Sequence, residues 1–219
     1  MPSLPSPTQE ARATAAPDPA AKRLLQAAET VLIRHGGGAI SVRALTSEAK
    51  CNVSLVSYHF GGLNGLLEQV AEDNLLPMLE LREDLLRQAA RAVDPQERLH
   101  TGIEAHARPM WLPSSHAGLP TAGALMSVLM PLLSGPTQQQ ITGRVQVTVD
   151  ASCAVLLPLL PQLDKPTLLM RLRLLLGAVH YLQPGHWSAG MFTPGASPVP
   201  ADDTLDHLLR FAAGALHAP

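Results

Sequence analysis

Residues 41–60 contain two short stretches of helical periodicity joined by a tight connection, and no other feature restricts the possible folds as strongly. Ser41 can cap the first stretch with its hydroxyl, and Asn52 can cap the second with its side-chain oxygen. The apolar face of the first stretch consists of Val42, Leu45 and Ala49. In the second stretch, Val56 and Phe60 lie four residues apart and can meet that face. The pattern predicts a helix, a turn and a second helix.

The sequence on either side of this segment predicts further helices. From Ala21, apolar residues recur at helical spacing until the glycines at residues 36–38 stop the helix. The glycines at residues 61–62 end the third helix, and a fourth begins near Asn64. We expect Pro77 to kink or break this fourth helix, because proline lacks the N–H group that a helix interior requires.

Beyond residue 90 the pattern remains helical. Pro95 suits the first turn of a helix that reaches about Met110. Further helices are predicted at residues 121–133, 137–160, 166–183 and 201–216, with loops at residues 113–120 and 184–200. Alternating valines near residue 147 resemble a strand, but nothing nearby could pair with one. The sequence therefore predicts an all-α fold.

A helix-turn-helix unit can bind DNA, because its second helix fits the major groove while its first helix crosses the phosphate backbone. Arg43 can reach a phosphate or a guanine edge, and Ser41 can donate to a phosphate at a helix N-terminus. On the second helix of this unit, the small side chains of Val53, Ser54 and Ser57 permit close approach to the DNA. Tyr58 and His59 follow as possible donors to phosphates. The candidate DNA-binding residues are Ser41, Arg43, Lys50, Asn52, Val53, Ser54, Ser57, Tyr58 and His59.

The charge distribution agrees with a small DNA-binding unit on a body that does not contact DNA. The formal net charge of the chain is −2, but residues 21–70 contain five cations and three anions. The excess of negative charge therefore lies outside this segment, which suits a nucleic-acid-binding head on an acidic body.

Residues 22–70 resemble the DNA-binding domain of the TetR family of bacterial transcription regulators. The family pattern is an amphipathic first helix ending in glycine, a Thr/Ser-x-Arg start to the second helix, an aromatic-His-Phe end to the third, and a leucine-rich fourth. The matching residues are Gly36, Ser41, Val42, Arg43, Leu45, Ala49, Asn52, Tyr58, His59, Phe60, Gly61 and Leu66. Residues 156–182 show a weaker similarity to one subgroup of the family.

The resemblance implies a homodimer that binds a palindromic double-stranded DNA operator, acts as a repressor and is released by a small-molecule effector. We expect a Pro-rich disordered tail at residues 1–20, a helix-turn-helix DNA-binding domain at 21–66, and a helical ligand-binding and dimerisation domain at 67–219. The wide apolar faces of residues 166–183 and 203–216 suit a four-helix interface about a two-fold axis. They could also complete the core of a monomer.

Two positions depart from the family pattern. Lys50 stands where most members have the turn glycine, so we expect a residue with a Cβ to adopt a positive φ at a cost of about 1 kcal/mol. Its amine can compensate by contacting a phosphate. Leu63 stands where lysine is usual, which removes one phosphate contact and is expected to weaken DNA binding.

The body offers weaker signals for an effector site. Methionine and aromatic side chains can line an adaptable apolar pocket, although methionines on helices usually fill gaps in a core. The candidate ligand contacts are His106, Met110, Trp111, Met126 and Met130. His100 and His106 are six residues apart, which places them on different sides of a helix and argues against a metal site. Neither a metal nor a cofactor is expected.

Other functional classes have less support. The sequence contains no glycine-rich phosphate loop and no nucleophile motif, so an enzyme is not expected. Two distant cysteines and the lack of an apolar run of membrane-spanning length favour a soluble protein of the cytoplasm. The alternative to a regulator is a helical carrier of apolar small molecules, which would not need the helix-turn-helix segment.

Overall fold

The computed structural model describes residues 18–119, 122–182 and 201–218, which form α-helices and connecting turns without a β-strand. The helices are α1 (Pro19–His35), α2 (Val42–Glu48), α3 (Ser54–Phe60), α4 (Leu63–Arg91), α5 (Pro95–Ala107), α6 (Ala122–Leu129), α7 (Gly135–Leu156), α8 (Lys165–Tyr181) and α9 (Ala201–His217). In this part of the chain, none of the helices is both long and apolar enough to cross a membrane. The predicted all-α fold is confirmed.

The first helix begins two residues earlier than the sequence predicted, because Asp18 caps it. The Asp18 carboxylate accepts the backbone N–H of Ala20 at 2.8 Å, and Pro19 takes a first-turn position where proline sacrifices no helical hydrogen bond. Residues 19–20 therefore belong to α1 and not to a tail. Residues 1–17 of the predicted tail and the predicted loop at residues 184–200 lie outside the described residues.

The first helix packs against α2, α3 and α4, and α3 packs against α4. The hydroxyl of Ser41 accepts the N–H of Ala44 at 3.1 Å, and the side-chain oxygen of Asn52 accepts the N–H of Ser54 at 3.0 Å, so both expected caps are present. Fully buried side chains from all four helices fill this core: Leu24, Leu32, Leu45, Val56 and Leu66.

The connection between α3 and α4 depends on glycine. Gly61 and Gly62 have φ values of 71° and 131°, which side chains with a Cβ rarely adopt. A Cβ on Gly65 would lie 1.9 Å from the carbonyl oxygen of Phe60, a distance that no substitution could accommodate without moving backbone. The start of α4 is therefore pressed directly against the end of α3.

The fourth helix runs without interruption for 29 residues and packs against α5, α6 and α7. The helix does not break at Pro77, and a kink there, the other expected outcome, stays a prediction. Proline has no N–H to donate to the carbonyl of Asp73, four residues earlier. That carbonyl instead accepts the hydroxyl of Ser115 at 2.6 Å. A segment distant in sequence thus supplies the hydrogen bond that the proline removes.

Two of the later helices, α5 and α7, end sooner than predicted. α5 stops at Ala107 and continues as the 3-10 turn Arg108–Trp111, while α7 stops at Leu156 before a second such turn. The strand-like alternation of valines lies entirely within α7, so the helical interpretation is confirmed.

A buried carboxylate joins α1 to α4 and to the segment that precedes α6. Glu29 is completely buried. Its oxygens accept the side-chain N–H of Asn74 at 2.7 Å and the backbone N–H groups of His116 at 3.0 Å and Ala117 at 2.6 Å. Asn74 in turn accepts the backbone N–H of Ser115 at 2.9 Å. Because it accepts several hydrogen bonds, the carboxylate of Glu29 can remain buried. The same bonds connect α1, α4 and the segment before α6.

We expect Glu29→Ala to lower the free energy of unfolding by about 2–4 kcal/mol, because it leaves several buried N–H donors without an acceptor. Glu48→Ala, at an exposed glutamate of α2, should change it by less than about 0.5 kcal/mol. Urea denaturation followed by circular dichroism measures both. Equal effects of the two substitutions would show that the buried hydrogen bonds do not stabilise the fold.

Candidate nucleic-acid interface and ligand-binding region

The third helix presents an accessible face of small and aromatic side chains. Val53 is 55% exposed and Tyr58 is 80% exposed, and Ser54 and Ser57 are exposed between them. These residues are spaced so that they share one side of the helix. The side-chain oxygen of Asn52 accepts both the N–H and the hydroxyl of Ser54 at 3.0 Å, which fixes the start of that face.

Two further candidates lie at the N-terminus of α2. Ser41 is exposed, and because its oxygen serves as the cap, its hydroxyl proton is available to an incoming acceptor. Arg43 is exposed and makes no ion pair with any described residue. A guanidinium in this position can bind phosphate oxygens through two N–H groups.

His59 is less accessible than its neighbours. Its side chain is 12% exposed, and its Nε2 lies 3.7 Å from the carboxylate of Asp18 at the start of α1. The ring also contacts the Tyr58 ring edge-on, with centroids 4.9 Å apart. The imidazole therefore faces α1, and a contact with phosphate would require it to turn away from Asp18.

The two departures from the family pattern have clear structural counterparts. Lys50 has a φ of 50°, and among the described residues it alone combines a side chain with a positive φ, so the expected strain is present. Its side chain is exposed. Leu63 is half-buried against the apolar core, so it contributes packing where a lysine would extend outward. Cys51 is also half-buried at the same core.

The five predicted ligand contacts lie in or against the main apolar core. His106 and Met110 are buried, while Trp111, Met126 and Met130 are half-buried. Four open grooves stand out in the described part of the chain, and these five side chains line none of them. They remain predicted contacts. Among the described residues, no three potential metal ligands come together.

His106 belongs to a buried hydrogen-bonded pair between α5 and α7. Its Nε2 lies 2.9 Å from the hydroxyl of Ser152, which donates its own proton to the carbonyl of Thr148 at 2.6 Å. His106 must therefore donate through Nε2, which leaves Nδ1 as an acceptor, and Nδ1 has no partner among the described residues. Burial, with the nearby charge of Arg82, lowers the pKa of His106 to about 3, so the ring is neutral at physiological pH.

Arg82 is the residue of this region that sequence reasoning missed. It is 5% exposed, its Nε donates to the carbonyl of Ala105 at 3.2 Å, and its Nη2 has no partner among the described residues. Burial lowers the pKa of Arg82 to about 10, so it stays cationic at neutral pH. The sequence did contain a signal, because Arg82 is three residues from both Leu79 and Leu85 on the apolar face of α4.

The last two helices leave apolar side chains in solvent. Leu174 on α8 is 66% exposed and Phe211 on α9 is 69% exposed, and Met170, Tyr181 and Leu182 are exposed nearby in sequence. An open groove of about 720 Å³ between the two helices is lined by Tyr181 and Phe211 among others. Clusters of exposed apolar side chains mark surfaces that bind another molecule.

Comparison with known proteins gives one family and one fold. Residues 104–215, about half of the chain, match the family model described as tetracyclin repressor-like, C-terminal domain. No curated protein sequence matches the chain significantly.

Solved structures share the fold at low sequence identity. A TetR-family transcriptional regulator from Bordetella parapertussis is 13% identical, with 89% of this chain and 94% of that chain covered and a TM-score of 0.65. The ketosteroid transcriptional regulator KstR2 of Mycobacterium tuberculosis is 17% identical, with 89% and 93% covered and a TM-score of 0.59. AibR, in complex with isovaleryl coenzyme A and operator DNA, is 15% identical, with 91% and 99% covered and a TM-score of 0.51.

We expect Lys50→Gly to raise the free energy of unfolding by about 0.5–1 kcal/mol, because glycine adopts a positive φ without steric strain. Lys50→Ala is the matched control, since it removes the amine but keeps the Cβ, and it should give no such gain. Urea denaturation measures both. If glycine and alanine act alike, the backbone conformation at this position is not strained.

Proposed function

The chain belongs to the tetracyclin repressor-like family of transcriptional regulators, and from this premise we propose that it is a DNA-binding repressor released by a small-molecule effector. Regulators of this family are not enzymes. The observation that carries the proposal is the exposed face of α3, together with the exposed side chain of Arg43 on α2. A helical carrier of apolar ligands would need neither feature.

The proposed contacts with DNA follow from the exposure of each side chain. Ser54 and Ser57 are short, so α3 can approach base edges closely, and Val53 can contact a thymine methyl group. Around them, Ser41, Arg43, Lys50 and Tyr58 would bind phosphates or a guanine edge, and these contacts would set the register of the helix. Asn52 would act mainly by fixing the start of α3. His59 would contact a phosphate only if its ring turned away from Asp18.

We assign residues 21–66 to a DNA-binding domain and residues 67–219 to a ligand-binding and dimerisation domain. The exposed apolar surface of α8 and α9 supports dimerisation, because a second copy of the chain would cover it with the same surface. A two-fold dimer presents two copies of α3, which suits a palindromic operator. We infer that an effector bound in the body favours a spacing of the two helices that no longer matches the operator.

A protein with this fold can bind both operator DNA and a small organic molecule. AibR, which shares the fold, forms a complex with isovaleryl coenzyme A and operator DNA. KstR2 is described as a ketosteroid transcriptional regulator. These ligands belong to those proteins. They support the proposal that the body of this chain binds an organic effector, for which His106, Met110, Trp111, Met126 and Met130 were the sequence-based candidates.

Arg43→Ala is expected to weaken binding to an operator from the upstream region of the protein's own gene by about 1–3 kcal/mol, because it removes a base or phosphate contact. Fluorescence anisotropy at two salt concentrations measures the affinity and its salt dependence. Arg91→Ala, at an exposed arginine in the last turn of α4, serves as the control and should bind as the unmodified protein does. If the unmodified protein shows no saturable, salt-sensitive binding, the carrier alternative replaces the regulator.

The double substitution Leu174→Glu and Phe211→Glu should convert the dimer into monomers, because it places charges on the apolar surface of α8 and α9. Sedimentation velocity at micromolar concentration measures the mass. Val93→Glu adds a charge at a residue that is 93% exposed after α4 and should leave the dimer intact. A monomeric unmodified protein would refute dimerisation through this surface.

A further inference from the structure

The two carboxylate oxygens of Asp18, at the start of α1, have different neighbours. Oδ1 accepts the backbone N–H of Ala20 at 2.8 Å and so caps the helix. Oδ2 lies 3.7 Å from Nε2 of His59, in the last turn of α3. The side chain of Asp18 is 54% exposed, whereas that of His59 is only 12% exposed. Asp18 therefore connects the start of α1 to the end of the helix that we propose to enter the DNA groove.

The contact between the two side chains is incomplete. A separation of 3.7 Å is too long for a hydrogen bond, and Nε2 of His59 is buried without a hydrogen-bond partner among the described residues. Buried polar atoms nearly always have a partner, because an unsatisfied one costs free energy. An anion that approached Nε2 to about 2.8 Å would therefore bind the ring more strongly than Asp18 does.

The neighbours of His59 in α3 lie on the surface that would face DNA. Ser57 is exposed, and Tyr58 is 80% exposed. The Tyr58 ring contacts the His59 ring edge-on, with centroids 4.9 Å apart. A phosphate close to Tyr58 would come within reach of the imidazole once the His59 side chain changed its rotamer. Because Nε2 cannot face Asp18 and a phosphate at the same time, the two anions exclude each other.

We propose that Asp18 limits the affinity of this protein for DNA by competing with a DNA phosphate for His59. In the free protein the ring faces Asp18, and in the DNA complex it turns to the phosphate. The loss of the contact with Asp18 offsets part of the free energy of the new contact. The inference rests on the proposed function, because it assigns to Asp18 the regulation of one of the proposed DNA contacts.

Competition of this kind makes release from DNA easier. A repressor must leave its operator when the dimer changes conformation, and the size of the change in affinity that this requires depends on how tightly the DNA is held. Leu63 lowers the affinity because a cation is absent, and Asp18 lowers it because an anion is present. When the phosphate leaves, the carboxylate of Asp18 is already in place to receive the ring.

Asp18→Asn tests the proposal without removing the helix cap. The amide oxygen of asparagine can still accept the N–H of Ala20, while an uncharged NH2 group replaces Oδ2. The variant should bind DNA from the upstream region of the protein's own gene about threefold to tenfold more tightly, because each protomer of a dimer loses a competing anion. Fluorescence anisotropy at a fixed salt concentration measures the affinity. Loss of a purely structural contact would not tighten binding.

Asp94→Asn is the matched control. Asp94 caps α5 by accepting the N–H groups of Gln96 at 3.1 Å and Glu97 at 3.3 Å. The same change of charge therefore occurs at another helix N-terminus, beyond the end of α4 that lies away from α3. This variant should bind DNA as the unmodified protein does. Equal tightening by both substitutions would be a general effect of net charge and would overturn the proposal.

His59→Leu removes the imidazole and fills a similar space, so it tests whether Asp18 acts through His59. In this background, Asp18→Asn should change the affinity by less than about twofold, because the coupled partner is missing. Tightening that persists would mean that Asp18 repels DNA directly, and the proposal would be wrong. Circular dichroism with urea shows that each variant is folded. If the leucine variant does not fold, His59→Ala takes its place.

The remaining outcomes separate this inference from the proposed function. If the unmodified protein binds DNA and Asp18→Asn leaves the affinity unchanged, the inference fails and the regulator is retained. Weaker binding by Asp18→Asn has the same meaning, since Asp18 would then hold His59 in an orientation that favours DNA. If neither protein shows saturable, salt-sensitive binding, the proposed function is refuted and the inference with it.

Discussion

The arrangement of this protein depends on one buried carboxylate. Glu29 is enclosed by α1, α4 and the segment before α6, and it stays there because Asn74, His116 and Ala117 donate to it. These bonds place a segment of the proposed ligand-binding domain against the first helix of the proposed DNA-binding domain. Separating the two would expose several N–H groups and a charge at once. The proposed boundary between two domains near residue 66 therefore does not coincide with a gap in packing.

Local chemistry made much of the fold predictable. The caps at Ser41 and Asn52 and the glycine turn after α3 depend on residues within a few positions of each other, whereas the positive φ of Lys50 was expected from the family resemblance. The break expected at Pro77 was wrong, because the compensating donor, Ser115, is 42 positions away in the sequence from the acceptor, the carbonyl of Asp73. The hydrogen-bond partners of Glu29 and His106 are also more than 40 positions away in the sequence, and the spacing of residues along the chain cannot predict such pairs. Arg82 was detectable in principle, since it lies on an apolar helix face.

The interior of the body combines two different uses of polar groups. Around Glu29 every oxygen has donors, and the result is a fixed junction. Arg82 and His106 are each 5% exposed, and Nη2 of Arg82 and Nδ1 of His106 have no hydrogen-bond partner in the described part of the chain. A satisfied network contributes rigidity, whereas an unsatisfied one reduces stability and is retained where it has another role. α4 carries members of both groups, Asn74 and Arg82, about two turns apart.

The contact between Gly65 and the carbonyl of Phe60 couples α3 to α4, so that the two helices move as one rigid body. Because the two backbones touch, α3, which we propose to enter the DNA groove, moves together with the 29-residue helix α4. At about 1.5 Å per residue, α4 extends roughly 43 Å, so a rotation of about 5° about one end displaces the other by nearly 4 Å. A movement of that size is comparable to the rise of one base pair. Small adjustments of packing along α4 are therefore enlarged geometrically at the surface that would face DNA.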